Sequence, residues 1–304
     1  MKIFKLVPFV CFAVLLGIGS AKAQTAVNSE GLAGDFYNAD GDVAVVLLHG
    51  TLAHNRMEII KTLATLMSED YGYPVLAPNL SLNNKNRMGD GIQASTKGYA
   101  TLTACDIDHT HKYEDALAEL GVWVEYLKQQ GFKKIIVAGH SRGGRQASAF
   151  LAKNFSDPAI VGGVLIASGL SRNERNIENY KKDTGLDLRK LLREFSKLPD
   201  TEYVDVPKFI YCEKPRVTAG AFISEYTENP SHGAPYNVAK IQDIPILVIG
   251  GSEDTVVPNI ETDFETISTQ RNLRIEIIEG ADHFFRDLYA DDAAMMIVDL
   301  IENI

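Results

Sequence analysis

The stretch Lys133-Lys134-Ile135-Ile136-Val137-Ala138-Gly139-His140-Ser141-Arg142-Gly143-Gly144 constrains this chain more than any other. Its β-branched apolar run reads as a buried strand, and the alanine-rich residues 146–152 that follow read as a helix. Between them lies Gly-x-Ser-x-Gly, the pattern of a strand-to-helix turn so tight that side chains flanking the serine would clash. Gly139 and Gly143 remove those side chains, and Gly144 lets the helix pack closely. Ser141 is therefore expected in a strained backbone conformation, its hydroxyl exposed above the sheet edge and a helix N-terminus beneath it. The bland alternative is a Gly-rich turn with no chemistry.

The rest of the chain repeats the same alternation. Val43 to Leu48 is a continuous apolar run, as a parallel strand covered on both faces requires, and it ends in His49-Gly50-Thr51. A helix over residues 57–68, a short strand over 73–78 and a long irregular segment over 79–111 come next. Residues 114–130 form an amphipathic helix closed by Gly131. Beyond the Ser141 turn, residues 159–167, 244–249 and 273–278 read as further strands, and 287–302 as a final helix. From about 169 to 243 the alternation stops. That stretch is charged and helical at first (190–197), then aromatic, through Phe209, Tyr211, Phe222 and Tyr226. It reads as a cap inserted over the sheet edge. The fold class predicted is α/β, a mostly parallel central sheet with helices on both faces, its core in residues 24–168 and 243–304 and its cap in 169–242.

Residues 1–23 carry a different signal. Lys2 and Lys5 precede an apolar stretch over 6–18, and Ala21-Lys22-Ala23 is an A-x-A cleavage pattern. A cleaved export signal is expected, and a periplasmic or secreted protein with no membrane anchor after cleavage. Cys11 leaves with that leader. Cys105 and Cys212 then remain, either bridging core to cap or standing as two buried thiols, since proximity cannot be read from sequence. A net charge of -10, without basic runs, argues against nucleic acid or an anionic membrane as partner.

Sites in parallel sheets form at the carboxyl ends of strands. Four clusters stand there: His49-Gly50, Ser141, Gly250-Gly251-Ser252-Glu253-Asp254, and Gly280-Ala281-Asp282-His283. A serine hydroxyl needs a base within hydrogen-bond reach, and that base needs a carboxylate to orient it. His283 is the candidate base. Asp254 is the candidate carboxylate, continuing toward the Val256-Val257-Pro258 turn, with Glu253 and Asp282 as rivals. Together the Gly-His-Ser-Arg-Gly turn, His49-Gly50, Gly-x-x-Asp at 251–254 and Gly-x-x-His-Phe at 280–284 resemble the α/β-hydrolase superfamily. The resemblance implies Ser141 as nucleophile, His283 as base and Asp254 as orienting acid. It also implies an oxyanion hole from the backbone N–H groups of Arg142 and Thr51, with Leu52 as the fallback for Thr51.

Weaker features are weighed beside these. Asp106, Asp108, His109 and His111 have metal-ligand chemistry but no established metal spacing, and a helix-entry or pocket-lining role explains them as well. Arg142 and Arg145 could grip an anionic substrate group or be tied to local carboxylates. His140 and His54 read as structural, and His232 as part of the cap. No cofactor and no metal is implied. The expected function is an exported serine hydrolase that cleaves a carboxylic ester through an acyl-enzyme, its partner a small-molecule ester or acyl substrate of unspecified chain length. Acyl transfer, peptide hydrolysis or a catalytically silent binding protein remain alternatives on the same residues.

Overall fold

The computed structural model describes residues 24–80, 105, 107–171 and 173–304. The expected leader, most of the irregular segment over 79–111, and Asp106 lie outside the described residues. The polar N-terminal stretch is a hairpin that the sequence pattern did not reveal. Its strands β1 (Gln24–Ser29) and β2 (Leu32–Tyr37) turn at Glu30 and Gly31, both with positive φ, as tight hairpin turns require. Then come β3 (Val43–Leu48), α1 (Glu58–Thr65), β4 (Val75–Asn79), the short β5 (Asp108–His109), α2 (Tyr113–Gln129), β6 (Lys134–His140), α3 (Arg142–Asn154) and β7 (Ile160–Ile166). The helix expected over 57–68 begins at Glu58, and α1 gives way to a π turn at Leu66–Asp70.

Between β7 and the next long strand lie α4 (Asn173–Thr184), α5 (Leu188–Phe195), β8 (Tyr203–Val204), β9 (Lys208–Phe209), β10 (Cys212–Glu213), β11 (Arg216–Thr218), α6 (Ala219–Tyr226) and α7 (Ala234–Val238). The chain closes with β12 (Ile246–Gly251), α8 (Ile260–Phe264), β13 (Leu273–Ile278) and α9 (Leu288–Glu302).

Eight strands form one sheet in the order β1-β2-β4-β3-β6-β7-β12-β13. Pairing is parallel from β4 through β13, and antiparallel only where β1 and β2 join. Alternate side chains of each central strand serve opposite faces. Val45 and Leu47 pack with Ile59, Ile60 and Leu63 of α1 and Ile297 of α9, whereas Ala44, Val46 and Leu48 pack with Trp123 of α2 and Leu151 of α3. This two-sided burial explains why the strands are continuous apolar runs rather than alternating ones.

The segment between β7 and β12 gathers its apolar residues into a cluster of its own, including Tyr180, Leu188, Val204, Phe209, Phe222 and Tyr226. Residues scattered along the sequence thus meet in space, and Tyr180 and Tyr226 both pack in this cluster and border a cavity. The segment is also tied to chain outside it. Residues of β5 pair with β11, and Cys105 is disulfide-bonded to Cys212, 107 residues away. The bridge, left open by the sequence, closes a loop whose constraint on the unfolded chain corresponds to about 4–5 kcal/mol in the chain-entropy model. Reduction is therefore expected to lower the melting temperature by roughly 10 °C. A thiol titration finding two free cysteines, or a melting curve indifferent to reductant, would contradict it. Among the described residues no helix is long and apolar enough to cross a membrane.

Candidate active site

Because β3, β6, β12 and β13 run parallel, the loops following them emerge at one edge of the sheet. The turn after β6 places Ser141 at φ 56 and ψ -122, a conformation few residues other than glycine adopt. Such strain costs roughly 1–3 kcal/mol and persists only when the surroundings fix it. Here they do. The Ser141 N–H donates to the Ile166 carbonyl at 2.8 Å, and the Ser141 carbonyl accepts from the Ser168 hydroxyl at 2.8 Å and from the Gly144 N–H at 3.1 Å. A Cβ at Gly143 would collide with the His49 carbonyl, and one at Gly139 with the Gly143 backbone, so both positions demand glycine as the sequence pattern implies.

His283, in the turn after β13, brings Nε2 to 3.1 Å from the Ser141 hydroxyl and Nδ1 to 2.8 Å from Asp254. Asp254 follows β12 and is buried. Its second oxygen accepts the backbone N–H groups of Val256 and Val257, both at 2.8 Å. Burial pushes this carboxyl's pKa up, but the bond from His283 and the two N–H groups outweigh it and hold it below the ordinary carboxylate range. An ionised Asp254 can only accept, so His283 Nδ1 carries the proton and Nε2 turns a lone pair toward Ser141. The rivals point elsewhere. Glu253 is exposed, and Asp282 caps the Phe284 N–H and pairs with Arg286.

His140 has a definite part. Its buried Nε2–H donates to the His283 carbonyl at 2.7 Å, and the two rings lie 4.8 Å apart. Burial, then the neighbouring His283, depresses its pKa to about 3, so it stays neutral and holds the turn that carries His283. His49, before Gly50, accepts the Leu80 N–H through Nε2 at 3.0 Å.

Thr51 and Arg142 line one cavity with Ser141, and neither backbone N–H has a partner among the described residues. Leu52, the fallback donor, lines a smaller neighbouring space instead. The main cavity holds about 440 Å³, within the range of small-molecule sites. Besides Ser141 its wall includes Asn176, Asn179, Tyr211 and His232, of which only the last two lie at positions the sequence had marked. The asparagines of α4 were missed because nothing distinguishes them locally from a solvated helix face.

The two arginines part company. Arg142 pairs with Glu225 and lies over the Tyr113 ring, 5.5 Å from its centre. Arg145 has no carboxylate partner among the described residues. The weak metal candidate disperses: Asp108 bonds Arg216 and Tyr203, His109 packs on Phe209, and His111 faces Glu119 at 3.7 Å. No group of three or more metal-ligating side chains occurs among the described residues.

Comparison with known proteins adds a family. The profile described as "Alpha/beta hydrolase family" matches residues 45–295. Among solved structures, Est1E from Butyrivibrio proteoclasticus is similar at 15% identity, covering 92% of this chain and 99% of that one, with a TM-score of 0.59. The Paleococcus ferrophilus monoacylglycerol lipase is similar at 18% identity, covering 89% and 98%, with a TM-score of 0.56. The dienelactone hydrolase from Anabaena variabilis is similar at 14% identity, covering 93% and 98%, also at 0.56. At such identities the likeness speaks to the fold alone. No curated protein sequence matches the chain significantly.

Proposed function

The chain belongs to the alpha/beta hydrolase family, and from that premise we propose that it is an exported serine hydrolase that cleaves a carboxylic ester through an acyl-enzyme. The observation carrying this reading is the unbroken relay from Asp254 to His283 to Ser141, at 2.8 Å and 3.1 Å. Ser141 attacks the carbonyl while His283 Nε2 takes its proton. The tetrahedral oxyanion is met by the N–H groups of Arg142 and Thr51. His283 then protonates the departing alcohol, water attacks the acyl-enzyme with His283 again as base, and the acid leaves. Asp254 stays ionised throughout, holding the imidazole tautomer and stabilising the imidazolium.

Two features favour export. One is the cleavage pattern at residues 21–23, and the other is the Cys105–Cys212 bridge, of a kind that persists in oxidising compartments. Residues 169–242 are read as a cap, since they contribute Asn179, Tyr211 and His232 to the wall facing Ser141. The Paleococcus ferrophilus and Anabaena variabilis proteins are by name an acylglycerol lipase and a lactone hydrolase, which is compatible with ester chemistry on this scaffold.

The cavity's polar wall also sets an expectation for chain length. A long acyl tail gains about 0.8 kcal/mol per methylene only where apolar surface receives it, and this wall is studded with amides and charges. In a p-nitrophenyl ester series, kcat/KM is expected to peak at two to four acyl carbons, by rough analogy with that balance, and to fall steeply by the laurate. A profile rising toward the laurate would contradict the assignment to small polar esters. No turnover of any member would count against an esterase.

A further inference from the structure

Among the described residues that line the cavity, pairing the charges leaves one cation over. Arg142 is matched by Glu225 and Lys208 by Asp183, all four lining the space that holds Ser141. Arg145 lines the same space, and the one hydrogen bond of its guanidinium among the described residues is a long 3.5 Å contact from Nη1 to the His232 carbonyl. Burial draws its pKa down, and the neighbouring Tyr113 works against that. A guanidinium does not surrender its proton, so a half-buried cation that lines a cavity without a carboxylate partner is placed to meet an anionic ligand.

Tyr113 supplies an independent observation. It is 3% exposed, lines the cavity, and is held by its ring stacking on His232 at 3.9 Å. Its hydroxyl has no hydrogen-bond partner among the described residues, although buried polar atoms are nearly always bonded. A guanidinium without a carboxylate partner and an unpartnered phenol hydroxyl thus belong to the wall of the chamber in which an acyl group attached to Ser141 would lie. Planar guanidinium paired with a phenol hydroxyl suits a carboxylate.

We propose that Arg145 and Tyr113 form a carboxylate subsite, so that the ester cleaved at Ser141 is one whose acyl chain carries a free carboxylate, a dicarboxylic half-ester. The proposal rests on the serine-hydrolase reading for the cleavage, though the subsite itself can be detected without turnover. Arg145 follows Ser141 by one turn of α3, about 5.4 Å. That offset fits a carboxylate roughly three or four bonds from the scissile carbonyl. A carboxylate on the acyl side stays gripped through the acyl-enzyme, keeping its carbonyl fixed while water attacks.

The test compares monoethyl glutarate with diethyl glutarate, following acid release at constant pH. The mature wild-type protein is expected to favour the half-ester in kcat/KM by at least about 10-fold, the scale of a charge-assisted pair. In Arg145→Gln that preference should disappear, in Tyr113→Phe it should shrink by about 3-fold, and Arg145→Lys should restore part of it. A ratio of two substrates on one preparation does not depend on the fraction folded, so a poorly folding variant still reads out. Calorimetry on Ser141→Ala provides the arm without turnover. There the half-ester should bind more tightly than the diester, and Arg145→Gln should remove the difference. Binding preference without hydrolysis would sink the hydrolase reading and leave the subsite standing. Equal handling of both esters, or a preference indifferent to Arg145, overturns the subsite.

Discussion

Ser141→Ala is expected to lower kcat on any ester substrate by roughly 10^6-fold, to the limit of detection, while the protein stays folded. The oxygen removed makes its one side-chain hydrogen bond among the described residues with His283, whereas the strained backbone at φ 56 is held by main-chain and Ser168 contacts that alanine keeps. Stability should therefore change by no more than about 1 kcal/mol, the usual worth of a single hydrogen bond. Because nucleophile and base act as one unit, adding His283→Ala to Ser141→Ala should cost nothing further. Steady-state ester hydrolysis with a thermal melt for each variant checks both statements. Retained turnover in Ser141→Ala would mean that another group attacks.

Asp254→Asn carries the second large effect, roughly 10^4-fold in kcat with little change in structure. The carboxylate oxygen facing His283 can only accept, which fixes the proton on Nδ1 and the lone pair on Nε2. Val256 and Val257 N–H groups already occupy the other oxygen, so in the variant the amide nitrogen is driven toward His283. The imidazole must then accept at Nδ1 and carry its proton on Nε2, where it cannot receive one from Ser141. Substrate binding should be nearly unchanged, so the loss appears in kcat rather than KM. The same carboxylate has a pH signature. Its pKa is lower in the folded chain than in the unfolded one, so its contribution to stability is full above the ordinary carboxylate value. That contribution drains away as the pH falls through the lowered value. A melt of Asp254→Asn should accordingly lose less stability than wild type on acidification. Similar kcat in both forms would show that Asp254 plays no orienting part.

Much of this site was legible because strand ends and turns carry local signatures. The glycines around Ser141 are required by backbone clashes between neighbours in sequence, and such clashes leave a pattern. The strands of the sheet centre were legible for a related reason: residues buried on both faces must all be apolar, as Val43–Leu48 shows. The β1–β2 hairpin escaped because β1 is a largely exposed edge strand whose polar residues need no alternation. Arg142 and Arg145 were indistinguishable in sequence because what separates them is Glu225, 83 residues beyond Arg142 and on another helix. The Cys105–Cys212 bridge and the cluster of Tyr180, Phe209, Phe222 and Tyr226 likewise depend on proximity that no local pattern encodes. The Ser141, His283 and Asp254 relay sits in short motifs, whereas the wall of the cavity beside it is assembled from distant parts.

The central claim is that a single hydroxyl, on residue 141, is the activated nucleophile. A fluorophosphonate reacts covalently only with such a group, and peptide mass spectrometry locates the adduct. One adduct per chain, on the peptide containing Ser141, absent from Ser141→Ala and slowed greatly in Asp254→Asn, is the result expected. Ester hydrolysis that persists with Ser141 unlabelled, or an adduct on another residue, would contradict it.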